Sequence, residues 1–193
     1  MKQLCFFFVL ITLSKFSFAQ EVAELPKDET GKLTYYEVVN TTVKEDSLKI
    51  RLLSFIAKSK KDIKLNTTQN SKVILARGKF TIQKTTTLLS HPSGEITYQF
   101  NFESSTDKYR FWLTNFEFIP YQKDRYGNFV PSTAIGVPLE IEPKKSNAKQ
   151  WEDYRLQASE YAVNFAKRLK DHLKNKIFTP PPISEKKVVS KSW

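Results

Sequence analysis

One cysteine and two histidines among 193 residues leave little room for thiol, metal or imidazole chemistry. A lone cysteine excludes an internal disulfide, a cysteine zinc site and a dithiol redox pair. Glycine is scarce, at five, and there is no Gly-Lys-Ser/Thr phosphate loop, no dinucleotide fingerprint and no His-Glu-x-x-His pair. His91, in a Ser-His-Pro-Ser stretch, and His172, on a basic helix, have no local motif that would build a Ser-His-Asp arrangement. Paired carboxylates for glycoside hydrolysis would have to come from Glu95, Glu103, Glu117 or Glu140, and spacing along strands does not by itself bring two of them together. No catalytic, cofactor or metal residue is therefore assigned. Long apolar runs are missing too. Phe6 to Leu13 is cut off by Lys15, well short of the roughly 20 residues that span a bilayer.

What is present begins with an address. Lys2, the apolar run Phe6–Leu13 and the small-x-small site Ser17-Phe18-Ala19 ahead of Gln20 form a secretory signal peptide, residues 1–19. Cys5 would leave with it, and the formal charge of the mature chain becomes 11 − 2 = +9 once Lys2 and Lys15 are gone. The expectation is export to the periplasm or beyond. There a basic protein meets other envelope proteins, anionic glycans and lipid headgroups rather than nucleic acid. Asn40-Thr41-Thr42 and Asn66-Thr67-Thr68 match glycosylation sequons.

With 40% apolar and 13% aromatic residues the chain can bury a real core, and its length suits one domain with extensions. A polar leader, 20–32, precedes Leu33–Val39, a strand rich in β-branched and aromatic residues. A helix follows: Thr42 and Glu45 have capping-box spacing, and Leu48, Leu52, Phe55 and Ile56 form its apolar stripe. Four strands come next, with reversals expected at Asn70-Ser71, His91-Pro92-Ser93-Gly94 and Ser105-Thr106-Asp107. Ile74, Ala76, Gly78, Phe80 and Ile82 share one face of one strand, and Ile96, Tyr98, Phe100 and Phe102 one face of the next. On the last strand Tyr109, Phe111 and Leu113 point inward. Phe116 and Phe118 have the opposite parity: a bulge near Thr114-Asn115 would return them to the core, and without one they join Trp112 outside. The segment 119–146, with Pro120, Pro131, Pro138 and Pro143, is no single regular element, and Tyr121, Tyr126 and Phe129 suggest that part of it packs. The longest helix starts behind Asn147 and runs along Trp151, Ala158, Tyr161, Ala162, Phe165, Leu169 and Leu173. A basic tail, 177–193, ends at Trp193 and is expected to be flexible.

The order strand, helix, four strands, helix predicts an α+β fold: a five-stranded antiparallel-rich sheet with both helices on one face. The runs Tyr35-Tyr36-Glu37-Val38-Val39, Ala76-Arg77-Gly78-Lys79-Phe80 and Tyr109-Arg110-Phe111 leading into Leu113-Thr114-Asn115-Phe116, together with the long C-terminal helix, resemble the domain of unknown function 4468 family across residues 31–176. The resemblance implies a TBP-like fold and an exported protein of Bacteroidota. It departs in the Pro-rich insertion and at Lys44, which stands where a small capping residue is expected. It carries over no site residues, because the family has none assigned, and a fold shared with the TATA-binding protein does not transfer DNA binding.

Two surfaces remain as candidates. Strand parity turns Arg77, Lys79, Arg110 and Trp112 away from the helices, onto an open sheet face that would suit a protein partner or an anionic glycan. Lys167, Lys170, Lys174 and Trp193 form a second, basic surface that would suit anionic headgroups. The reading is an interaction module of the cell envelope without an identified catalytic centre. The alternatives are an envelope-acting hydrolase or transferase and a structural element of an envelope assembly. A pocket with two or more charged groups on the open face would favour the enzyme, a flat face the interaction module.

Overall fold

The structure, a computed structural model, describes residues 24–67, 73–84 and 91–174. The expected signal peptide, the expected reversal at Asn70-Ser71 and the tail with Trp193 lie outside them. The elements are β1 (Tyr35–Asn40), α1 (Glu45–Lys58), β2 (Ile63–Thr67), β3 (Val73–Lys84), β4 (His91–Ser104), β5 (Lys108–Lys123), β6 (Phe129–Pro131), β7 (Val137–Pro138), a 3-10 turn (Lys145–Asn147) and α2 (Ala148–Lys174). The five long strands form the antiparallel sheet β1-β5-β4-β3-β2. Two further short strands, absent from the sequence reading, come from the Pro-rich segment and pair with the long β5.

Alternation fixes which side of the sheet is buried. Ile96, Tyr98, Phe100 and Phe102 are at most 1% exposed, because each alternate side chain of β4 points under the helices. Both helices lie on that one face. Phe55 of α1 meets Phe165 of α2 edge-on at 5.5 Å, and Phe165 meets Phe100 of β4 at 5.3 Å. The stripes Leu48, Leu52, Phe55, Ile56 and Ala158, Ala162, Phe165, Leu169, Leu173 are all buried, and Tyr154 and Ala166 join the second.

The bulge on β5 is present. Thr97 pairs with Glu117 but Gln99 with Thr114, so β5 carries one residue more than β4 across this step. Asn115 takes the extra position with φ at 54°, a left-handed conformation that asparagine tolerates better than most residues. Phe116 and Phe118 then return to the core, at 0% and 8% exposure.

Several local readings differ from the structure. His91-Pro92-Ser93-Gly94 is no reversal but the start of β4, with Gly94 paired to Ile82 and Pro120. Its glycine is needed for crowding rather than for turning: a Cβ there would sit 2.4 Å from the Ile119 carbonyl oxygen. Thr42 does not cap α1. The N-cap is Lys44 without a side-chain bond, and the Thr41 hydroxyl accepts from the Val43 N–H instead. Asn147 does directly precede α2, at the end of the 3-10 turn. The described part of the leader packs on the fold, with Leu25 6% exposed, Lys27 bridged to Leu33 and the Thr34 N–H donating to the Pro26 carbonyl.

In the Pro-rich segment the Leu139 N–H donates to the Phe116 carbonyl, and the Leu139 carbonyl accepts from Trp151 Nε1 and Arg155 Nε, which ties β7 to the start of α2. Phe129 stacks on His91, whereas Tyr126, expected to pack, is 75% exposed under the Arg125 guanidinium.

Candidate functional site

The face of the sheet turned away from the helices is unequal along its length. Toward β7 it is closed: Glu95, Thr97, Thr114 and Ile119 are all buried. Toward β1 it is open. Tyr36 is 53% and Val38 49% exposed, Tyr36 and Trp112 lie 6.4 Å apart as a cross-strand aromatic pair, and the Arg110 guanidinium sits 5.7 Å from the Trp112 ring. A hollow of about 300 Å³ beside them is lined by Tyr36, Val38, Glu103, Lys108 and Arg110, among others.

Arg77, Lys79, Arg110 and Trp112 all lie on this face, as strand parity predicts. The three cations there do not form a free positive field. Arg77 approaches Glu117 at 3.6 Å, Lys79 bonds Glu95 at 2.8 Å and Arg110 bonds Glu103 at 2.6 Å. Lys79 and Arg110 take their partners from the adjacent strand β4, as opposite-charge neighbours across a sheet do, whereas Arg77 of β3 reaches across β4 to Glu117 of β5. The bond to Glu103, then one to Tyr36, holds the Arg110 guanidinium above its ordinary range. Tyr36 and Val38 were not among the residues singled out. The even parity that Tyr36 and Val38 share on β1 is the sequence signal that places them on this face.

The second candidate surface divides. Lys170 binds Glu37 of β1 at 2.5 Å, which fastens α2 to the sheet. Lys167 and Lys174 are exposed. Trp193 lies outside the described residues.

A third feature lies where β3 runs on past β2. A hollow of about 370 Å³ is lined by Lys61, Asp62, Lys79, Glu95, Tyr161 and Arg168, among others. Glu95 Oε2 accepts from both Lys79 Nζ and the Tyr121 hydroxyl at 2.8 Å. Burial, then the bond to Glu95, pushes the Tyr121 phenol up. Below it the Tyr98 and Tyr161 hydroxyls meet at 2.8 Å, with both phenols raised chiefly by burial. Gly78 makes this possible, since a Cβ at that position would stand 2.1 Å from Tyr98 Cζ. Among the described residues no group of three or more His, Cys, Asp and Glu is placed to hold a metal ion, and no helix is long and apolar enough to cross a membrane.

An antiparallel sheet with two helices on one face and the other face partly free defines a TBP-like α+β protein. Residues 35–119 match the domain of unknown function (DUF4468) with TBP-like fold. It is similar to a solved TBP-like protein from Parabacteroides distasonis, at 12% identity and a TM-score of 0.56, over 78% of this chain and 97% of that one. A solved DUF4468 family protein from Bacteroides ovatus is similar at 11% identity and a TM-score of 0.57, over 81% of this chain and 94% of that one. At such identities the likeness is one of fold. No curated protein matches the chain.

Proposed function

We propose that the protein is an exported interaction module of the cell envelope that engages a protein partner through the β1 end of its open sheet face. The observation that carries this reading is the cluster of exposed Tyr36 and Val38 against half-buried Trp112, with Arg110 beside it, on a face where Glu95, Thr97, Thr114 and Ile119 are buried and Arg77 and Lys79 are ion-paired. Aromatic and arginine side chains are the groups that most often dominate interface energies. Export rests on the n-region, apolar run and cleavage site of residues 1–19. In-cell crosslinking of the envelope, compared between the native chain and the Tyr36→Ala/Trp112→Ala variant, tests it: adducts are expected with the first and not the second. Identical adduct patterns would remove the reading.

A second reading, an envelope-acting hydrolase or transferase, is favoured by the hollow at β3, where Lys79 and Glu95 from the open face meet Asp62 and Arg168. Lys79 and Glu95 are held by each other there, so the interaction module is preferred. Hydrolysis of isolated peptidoglycan by the native chain, lost in Glu95→Gln, would reverse that preference.

A further inference from the structure

The candidate surfaces on the sheet and on α2 meet at one place, the outer edge of β1. Among the described residues β1 ends the strand order and pairs with β5 alone. Just past it the Thr41 N–H donates to the Asp107 carbonyl. In an antiparallel ladder hydrogen-bonded and non-hydrogen-bonded pairs alternate, so Asn40, Val38 and Tyr36 fall in the second kind and aim their N–H and C=O groups away from β5. One step earlier Thr34 has the same parity, and its N–H is already taken by the Pro26 carbonyl. The described residues place no strand against the rest of this edge.

Its two flanks differ in chemistry. On the open face stand Tyr36, Val38 and Trp112, with the 300 Å³ hollow beside them. On the helix face Lys170 reaches over to Glu37. Lys167 and Lys174, three residues before and four after it, share that side of α2. Lys174 also shares a hollow with Asn40 at the end of β1. Lys170 is neutralised by Glu37, while Lys167 and Lys174 have no salt-bridge partner among the described residues.

We infer that β1 accepts an added strand: an extended segment of a partner protein whose residues alternate between apolar, facing Tyr36 and Val38, and acidic, facing Lys167 and Lys174. Backbone hydrogen bonds supply affinity in this mode, and the alternate side chains supply selectivity. The inference rests on the proposed interaction role and adds the partner's chemistry and pairing mode.

The probe is a fluorescein-labelled peptide of alternating valine and glutamate, about eight residues long to match a typical strand, with a valine-lysine peptide as control, both read by polarisation. The glutamate peptide is expected to bind and the lysine peptide not. Lys167→Glu/Lys174→Glu should weaken the first about tenfold or more and favour the second. Val38→Pro removes an outward N–H and should abolish binding. Where that variant is unstable, backbone N-methylation of the peptide serves: one set of alternate residues should abolish binding and the other set leave it. Equal binding by the two N-methylated peptides, or none by the parent, overturns strand addition. A dimer of this chain that Val38→Pro dissociates, or peptide-independent binding to phosphatidylglycerol vesicles that the lysine reversal abolishes, overturns the assignment of this edge to a segment of a partner protein. If no peptide binds while Tyr36→Ala/Trp112→Ala still removes envelope adducts, strand addition fails and the interaction role stands.

Discussion

The Asn115 side-chain amide donates to Gln99 Oε1 at 2.9 Å across the register break between β4 and β5. The bond holds a left-handed residue at the point where β5 changes which of its residues face the core. Asn115→Gly should be within a few tenths of a kcal/mol of the native chain, whereas Asn115→Val should cost about 1–2 kcal/mol, the penalty of a left-handed backbone for an ordinary side chain. Urea unfolding midpoints check the pair. Equal loss in both would mean that the bond to Gln99, and not the backbone, fixes the bulge.

The Tyr98–Tyr161 hydroxyl pair is asymmetric, since Tyr98 is 1% exposed and Tyr161 lines a solvent-open hollow. Tyr161→Phe strands a buried hydroxyl and should cost about 1–3 kcal/mol, while Tyr98→Phe should cost less because water can reach the Tyr161 oxygen. The stacking of residue 161 on Phe80, at 4.0 Å, survives the first change. Denaturant unfolding of both variants and of the double variant separates the hydroxyl contribution from packing.

Glu95 and Lys79 should respond unequally to substitution. The Glu95 side chain is 7% and that of Lys79 51% exposed. Lys79→Ala leaves a buried carboxylate with only the Tyr121 hydroxyl and should cost about 1–3 kcal/mol. Glu95→Gln frees a lysine that water solvates readily and should cost under about 1 kcal/mol. Thermal unfolding that ranks the two the other way would show that Glu95 is less enclosed than described.

His172, beside Phe55, is pushed below its usual 6.5 by burial first and by Lys58 next. The folded chain then binds fewer protons than the unfolded chain just under pH 6.5, so stability rises with pH there. The contribution is complete above about 6.5 and is lost as pH falls toward the folded value. Unfolding midpoints measured downward from neutral pH should decline, and His172→Gln should flatten that slope. A midrange titration of the His172 ring by NMR at or above 6.5 would contradict the placement.

Asp28 accepts from the Thr30 hydroxyl, the Thr30 and Lys32 N–H groups and the Thr34 hydroxyl, and its carboxyl is lowered to about 2, with the Thr30 bond the largest cause. The turn that starts the fold should therefore keep its carboxylate until well below pH 3.8 and lose it only near 2. A carbon-detected NMR titration of Asp28 checks this.

Strand parity and helical stripes were sufficient to place Phe100, Phe165 and Leu52 in the core, to show where a bulge would return Phe116 and Phe118 to it without deciding that it forms, and to turn Arg77, Lys79, Arg110 and Trp112 to the opposite face. These properties are local: the direction of a side chain follows from its own backbone and its near neighbours. The error at His91–Gly94 was local too, because proline and glycine read as punctuation where the glycine is in fact demanded by the approach of Ile119 and Phe118.

What the sequence determined by itself, then, was the core between the sheet and the helices and how many layers the fold has. Only the tertiary structure decided that Arg77 meets Glu117, that Lys79 meets Glu95, that Lys170 meets Glu37 across 133 positions, and that among the described residues no strand pairs with the outer edge of β1. The physical reason is register. A charge is neutralised or left free by whichever strand or helix is laid beside it, and that choice is made by the summed packing of the whole sheet, which no short stretch of chain contains.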